Sequence, residues 1–188
     1  VVPPTRAERL RSVAPALAVL LVFSLVLAAS GVWPPFVAVE SGSMEPHLER
    51  GDLVYVTATE RFAPPSGAPV ATHAAAAEYR RLGARGDVLV FDSPSHEGLV
   101  IHRAHLRVDR GENWYDEADS EYLPASVDSC RELAHCPAPH DGYVTKGDAN
   151  DYYDQAGGMA VVREAWITGK GQAAVPWIGH LRLLLAGR

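Results

Sequence analysis

Three groups of residues could do chemistry together. Ser43 lies between Gly42 and Met44, with Pro46 close behind, in the stretch VAVESGSMEPHLERGDLVYV. A serine at a tight strand-to-turn junction has an exposed Oγ and free backbone N–H groups nearby. Those are the two requirements of an acyl-transfer nucleophile. His102 lies in LVIHRAHLRV, and an imidazole can take a serine proton near neutral pH. Asp148, Asp151 and Asp154 crowd the stretch GDANDYYD, and a carboxylate can hold such an imidazole in one tautomer. Taken alone, each has an ordinary explanation. A Ser-Gly-Ser turn is common. A strand histidine among apolar neighbours is more often a core residue bonded to a carbonyl. A carboxylate-rich turn is usually solvated. A calcium loop of the EF-hand kind is excluded, because its glycine and glutamate places hold Tyr153 and Met159.

The elements that must position these groups follow from periodicity. An apolar, β-branched run over 36–39 leads into Ser43, and Leu53–Thr57 leads away through the turn Arg50-Gly51-Asp52. Residues 87–92 read as a strand. Along Leu99–Val108 side chains alternate faces. Val100, His102, Ala104, Leu106 and Val108 then face the core, and Ile101, Arg103, His105 and Arg107 face water. His102 and His105 point opposite ways on this reading and cannot share a metal. A short strand over 143–146 precedes the carboxylate turn, and 161–168 reads as another. The Ala/Pro/Gly-rich stretch 59–86 reads as an inserted loop with a short helix over 74–82. The polar stretch 109–141 holds Cys130 and Cys136. A disulfide between them is the default if this part lies outside the cytoplasm. A zinc site from Cys130, His135, Cys136 and His140 is the alternative, but it lacks a C-x-x-C knuckle.

Composition narrows the function. A chain of 188 residues predicts one domain. A net charge of -6 offers no basic face to nucleic acid. Lys146 and Lys170 are the only lysines, which restricts the available catalytic bases. Residues 12–39 carry no charge. A helix over 13–32 is long enough to cross a bilayer at ~1.5 Å per residue, with Pro15 placed in its first turn. Arg6, Arg9 and Arg11 precede it, and Trp33-Pro34-Pro35-Phe36 closes it. That charge asymmetry predicts a cytoplasmic tail over 1–11, a single-pass anchor over 12–35 and an extracytoplasmic domain over 36–188. Inserts fall near 59–85 and 110–141. A cleavable signal peptide ending near Ala28-Ala29-Ser30-Gly31 is the rival, and it too leaves the domain outside the cytoplasm. The last apolar run, WIGHLRLLLAGR, is too short to span and predicts a last strand or a membrane-grazing tail.

Three separated segments, SGSMEP with RGDLV, VIHRAH, and TKGDAND-YYD, together resemble the type I signal peptidases of the endoplasmic-reticulum and archaeal kind. The tail GKGQAAVPWIGHLRLLL extends the resemblance over most of 33–185, and GENWYDEADSEYL looks most like the enzymes of salt-loving archaea. The resemblance implies a mostly β domain, a small folded-ribbon barrel, behind one N-terminal transmembrane helix in the cell membrane. It implies a serine endopeptidase that cuts signal peptides from exported preproteins, with the lipid bilayer as partner, the translocon as a candidate neighbour and no cofactor. By position, Ser43 matches the nucleophile and His102 the base. Asp148 and Asp154 match the two family aspartates, Asp154 as the partner of His102 and Asp148 as a holder of the turn or of a cation near the site. Ser43 and Ser41 match the oxyanion-hole donors. Ala149 departs from the usual asparagine, and Asp151 has no counterpart. A membrane-anchored β domain that binds peptides without cutting them is the alternative. A soluble self-cleaving protease of the lysine type fits less well, given the anchor and the two lysines.

Overall fold

The structure, a computed structural model, describes residues 6–178, with side chains from residue 13 onward. The expected membrane-grazing tail beyond residue 178 and most of the expected cytoplasmic tail lie outside the described residues. The first element is α1 (Arg6–Ser30), whose side chains from Val13 on are apolar apart from Ser24 and Ser30. Pro15 lies inside this helix rather than in its first turn, so one backbone hydrogen bond is lost there. Leu17, Leu20, Leu21 and Phe23 are each more than half exposed. By length and composition, α1 is long and apolar enough to cross a membrane. Its end is fixed to the sheet. Ser30 Oγ donates to Val56 O (2.8 Å), Ala58 N to Ser30 O (2.8 Å) and Tyr55 Oη to Val26 O (2.9 Å).

Everything after α1 is mostly antiparallel sheet. The strands are β1 (Phe36–Ala38), β2 (Leu53–Thr57), β3 (Arg80–Arg81), β4 (Ala84–Arg85), β5 (Val88–Asp92), β6 (Leu99–Val108), β7 (Gly142–Lys146) and β8 (Ile167–Val175). Six of them form one sheet in the order β1-β2-β8-β5-β6-β7, and β3 and β4 form a separate hairpin. Alternate residues of β5 enter two different cores. Val88 and Val90 pack with Val37, Val39, Met44, Leu48, Val54 and Val56, whereas Leu89 and Phe91 pack with Val100, Ala104 and Tyr143. Such two-sided burial gives a continuous apolar run.

Three further local expectations are corrected. Residues 74–82 form turns leading into the β3–β4 hairpin and no helix. Leu82 and Gly83 both have positive φ there, as a two-residue hairpin turn of the mirror-image type requires. The strand expected over 161–168 begins only at Ile167 and runs on to Val175. Val161 and Val162 are buried in two different cores instead. The glycines of GKGQ disguise β8 as a turn, yet they answer to close packing. A Cβ on Gly169 would meet Thr57 O at 2.4 Å.

The third correction concerns the face of β6 assigned to water. Arg103 is 1% exposed and His105 5%. A register shift against β7 between Ala104 and Leu106 breaks the simple alternation. The insert near 59–85 then covers this face. His73 stacks on His105 at 4.8 Å, and Tyr122 and Tyr153 meet it edge-on.

Burial pushes His105 down from 6.5 to about 3, and the positive charges of His73, Lys146 and Arg103 outweigh the opposing pull of Asp148. The unfolded chain takes this proton near 6.5, so between the two values it binds more protons than the folded chain. The stability from a neutral His105 is therefore complete above pH 6.5 and is lost as pH falls toward 3, by up to ~1.4 kcal/mol per pH unit. His105→Phe should flatten the acid limb of stability against pH, read from denaturant midpoints between pH 6 and 4. An unchanged slope would refute this account.

Candidate active site

Two anchors hold the serine loop. Met44 and Leu48, 1% and 0% exposed, sit in the core beneath it, and Leu48 N donates to Met44 O (3.0 Å) in a single helical turn. On the other side Ala149 N donates to Ser43 O (2.9 Å). A Cβ on Gly147 would lie 2.6 Å from that same carbonyl, so only glycine lets the turn after β7 come so close. Ala149 thus contributes through its backbone.

His102, 8% exposed, stands on β6 between this loop and β7. Its Nδ1 lies 2.7 Å from Asp154 Oδ2 and its Nε2 lies 3.1 Å from Ser43 Oγ. A carboxylate can only accept, so Nδ1 carries the hydrogen and Nε2 presents its lone pair to the serine hydroxyl. Asp154 is itself held in place. Thr145 Oγ1 donates to the same oxygen (2.7 Å), and Asp154 N donates to Thr145 O (2.9 Å). Gln155 Oε1 in turn accepts from Thr145 N (2.8 Å). Ser41 Oγ lies 3.2 Å from Ser43 Oγ.

Asp148 does different work. Arg103 Nε and Nη2 donate to its two oxygens at 2.8 and 2.6 Å, and His47 Nδ1 lies 2.9 Å from Oδ2. The other donors of Arg103 reach Arg81 O, Leu82 O and Gly86 O of the insert at 2.9–3.1 Å. The insert near 59–85 is therefore tied through Arg103 and Asp148 to the serine loop. The insert near 110–141 buttresses the other aspartate. It builds a small core around Trp114 that includes Tyr153, and Tyr153 N donates to Tyr122 O (3.0 Å). Cys130 and Cys136 are joined to each other within that insert, which leaves the zinc alternative without its thiolates.

Neither lysine is aimed at the serine. Lys146 Nζ donates to Gly147 O and Asn150 O and lies over the Tyr122 ring, and Lys170 Nζ donates to Pro69 O (2.9 Å) beside Asp87. The carboxylates around Lys146 do raise its pKa, but burial lowers it more, so the net direction is down. Geometry is what removes Lys146 as a base, since its nitrogen is committed to carbonyls.

Thr145, Arg103 and His47 escape sequence reading. Thr145 resembles any strand threonine. Arg103 could have been found as an arginine beside the histidine with a turn aspartate to pair with. His47 carries no signal. A cleft of about 520 Å³ opens over Ser43, walled by Val37–Ser41 on one side and Gly98–His102 on the other. Its walls combine apolar side chains with the edge of β1. Such a site can accept an extended polypeptide and present a carbonyl to an activated serine.

No family model matches the chain. Among curated proteins, it is 28% identical over 156 residues to the signal peptidase complex catalytic subunit SEC11 of Schizophyllum commune. The alignment takes in 80% of this chain and 64% of that protein, so the chain spans a little under two thirds of its relative's length.

Proposed function

We propose that this chain is a membrane-anchored serine endopeptidase that removes N-terminal signal peptides from exported preproteins. The observation that carries the reading is the hydrogen-bonded series Ser43–His102–Asp154, supported by the similarity to a signal peptidase catalytic subunit. As the Ser43 oxygen attacks the scissile carbonyl, its proton passes to His102 Nε2. Asp154 stabilises the imidazolium and keeps the ring in place. The carbonyl oxygen gains negative charge and meets the Ser43 backbone N–H and the Ser41 hydroxyl. His102 then gives the proton to the leaving amine, and water releases the acyl half by the reverse sequence.

The substrate lies along the edge strand β1 as an added strand. The bilayer covers the exposed apolar side chains of α1, which would cost free energy in water. The chain crosses once, with the domain after α1 outside the cytoplasm. A fluorophosphonate probe should label Ser43 in detergent-solubilised protein, and the same preparation should cut a preprotein at its signal-peptide junction. Ser43→Ala should lose both. Labelling and cleavage that survive Ser43→Ala would sink the proposal.

A further inference from the structure

The cleft over Ser43 does not end at His102. A second cleft, of about 900 Å³, shares His96, His102 and Met159 with the first and runs on along Asn150–Tyr153 to Pro124 of the second insert. The scissile bond must lie at the junction, because Ser43 Oγ and His102 Nε2 meet there. The acyl half of a bound chain lies in the first cleft against β1. The amine half, which receives its proton from His102, therefore leaves along the second.

The carboxylates of this second cleft, Asp151 and Asp154, are joined in its lining by His96 and His102, and the Lys146 ammonium, given to Gly147 O and Asn150 O, lies near enough to Asp151 to offset part of its charge. Among the described residues lining it there is no lysine or arginine. Asp154 is occupied by His102 and Thr145. Asp151 is exposed on the wall, beside Tyr152, which is 45% exposed. The catalytic series does not use Asp151, and the family pattern has no counterpart for it. An exposed carboxylate attracts a nearby cation by a modest, salt-sensitive amount.

We propose that Asp151 makes the second cleft a binding site for the residues just after the cut and favours substrates with Lys or Arg there over those with Asp or Glu. This rests on the endopeptidase reading above. Asp151 is a specificity residue, and the effect belongs in kcat/KM.

The test uses the full chain in detergent at pH 8, where free histidine is neutral. The substrates are peptides of one cleavable sequence, with Lys, Gln or Glu placed in turn at the first three positions after the bond. At one or more of these positions kcat/KM should fall from Lys through Gln to Glu, by about threefold to tenfold across the series. Asp151→Asn should flatten the series, Asp151→Lys should invert it, and 0.5 M NaCl should compress it in the parent protein. A flat series in the parent, or one that persists in Asp151→Asn, overturns the inference while leaving the endopeptidase intact. Failure to cut any of the peptides or a full preprotein overturns that reading and this inference with it.

Discussion

His102→Ala lowers kcat by about 10²–10⁴-fold, the range for loss of a general base, while Lys146→Ala keeps most of the activity. The opposite pairing, in which a lysine serves the serine, is the natural rival because Lys146 lies two residues before Asp148. The structure separates them by what each nitrogen does. His102 Nε2 faces the Ser43 hydroxyl at 3.1 Å with a free lone pair, because the Nδ1 hydrogen is committed to Asp154. Lys146 Nζ is turned to Gly147 O and Asn150 O, two groups that can only accept. A lowered pKa alone does not make it a base, since its lone pair would face those oxygens once the proton left. Rates should be measured on a preprotein and on a short peptide, to separate binding from chemistry. An active His102→Ala beside a dead Lys146→Ala would establish the lysine pairing and overturn the imidazole one.

Periodicity found what local rules control. Strands β2 and β6 fall where the apolar runs put them, and Ser43, His102 and the aspartates of GDANDYYD stand out because a turn serine, a strand imidazole and a carboxylate-rich turn are chemically distinctive. Misses begin where one segment's surroundings are supplied by another distant in sequence. Arg103 and His105 read as solvent-facing because nothing in LVIHRAHLRV announces that residues 71–86 will fold over them. The strand β8 is hidden by glycines that exist for its neighbours' sake. Residues 59–86 read as a loop without a site, and 109–141 as a disulfide-bearing stretch with a zinc alternative, yet each supports one side of the serine site. One ties Arg103 to four carbonyls between Arg81 and Gly86, and the other packs Trp114 against Tyr153, the residue before the aspartate. The expectation that Asp154 meets His102 comes with the resemblance and not from sequence pattern. Spacing alone cannot decide it, since Asp148 and Asp154 lie in one turn and differ only in where the strands carry them.

The two aspartates should separate in experiment as they do in space. Asp148 faces a guanidinium that is 1% exposed, and removing the carboxylate leaves that charge buried without its partner. The cost of such a loss is about 3–5 kcal/mol, or roughly 6–20 °C in Tm for a domain of this size. Asp148→Ala should therefore unfold at much lower temperature, and its activity should fall because the turn that receives Ser43 O loses its tie to β6. Asp154→Asn should behave the other way. The amide keeps the volume, and the Thr145 hydroxyl can donate to its oxygen or turn to accept from its nitrogen, so the fold is little disturbed. It can equally donate to Nδ1, however, and so favour the wrong tautomer, which cost about 10⁴-fold in kcat in a serine protease. In one thermal scan and one rate measurement, Asp148→Ala should be the unstable variant and Asp154→Asn the stable, inactive one. A second arm guards against mere unfolding. Asp148→Leu combined with Arg103→Met, which removes both charges, should recover part of the stability lost by Asp148→Leu alone, although the hairpin carbonyls that Arg103 served are then left unbonded. If Asp154→Asn melts as early as Asp148→Ala and still cuts when refolded, Asp154 is the structural carboxylate and the series through His102 is misassigned.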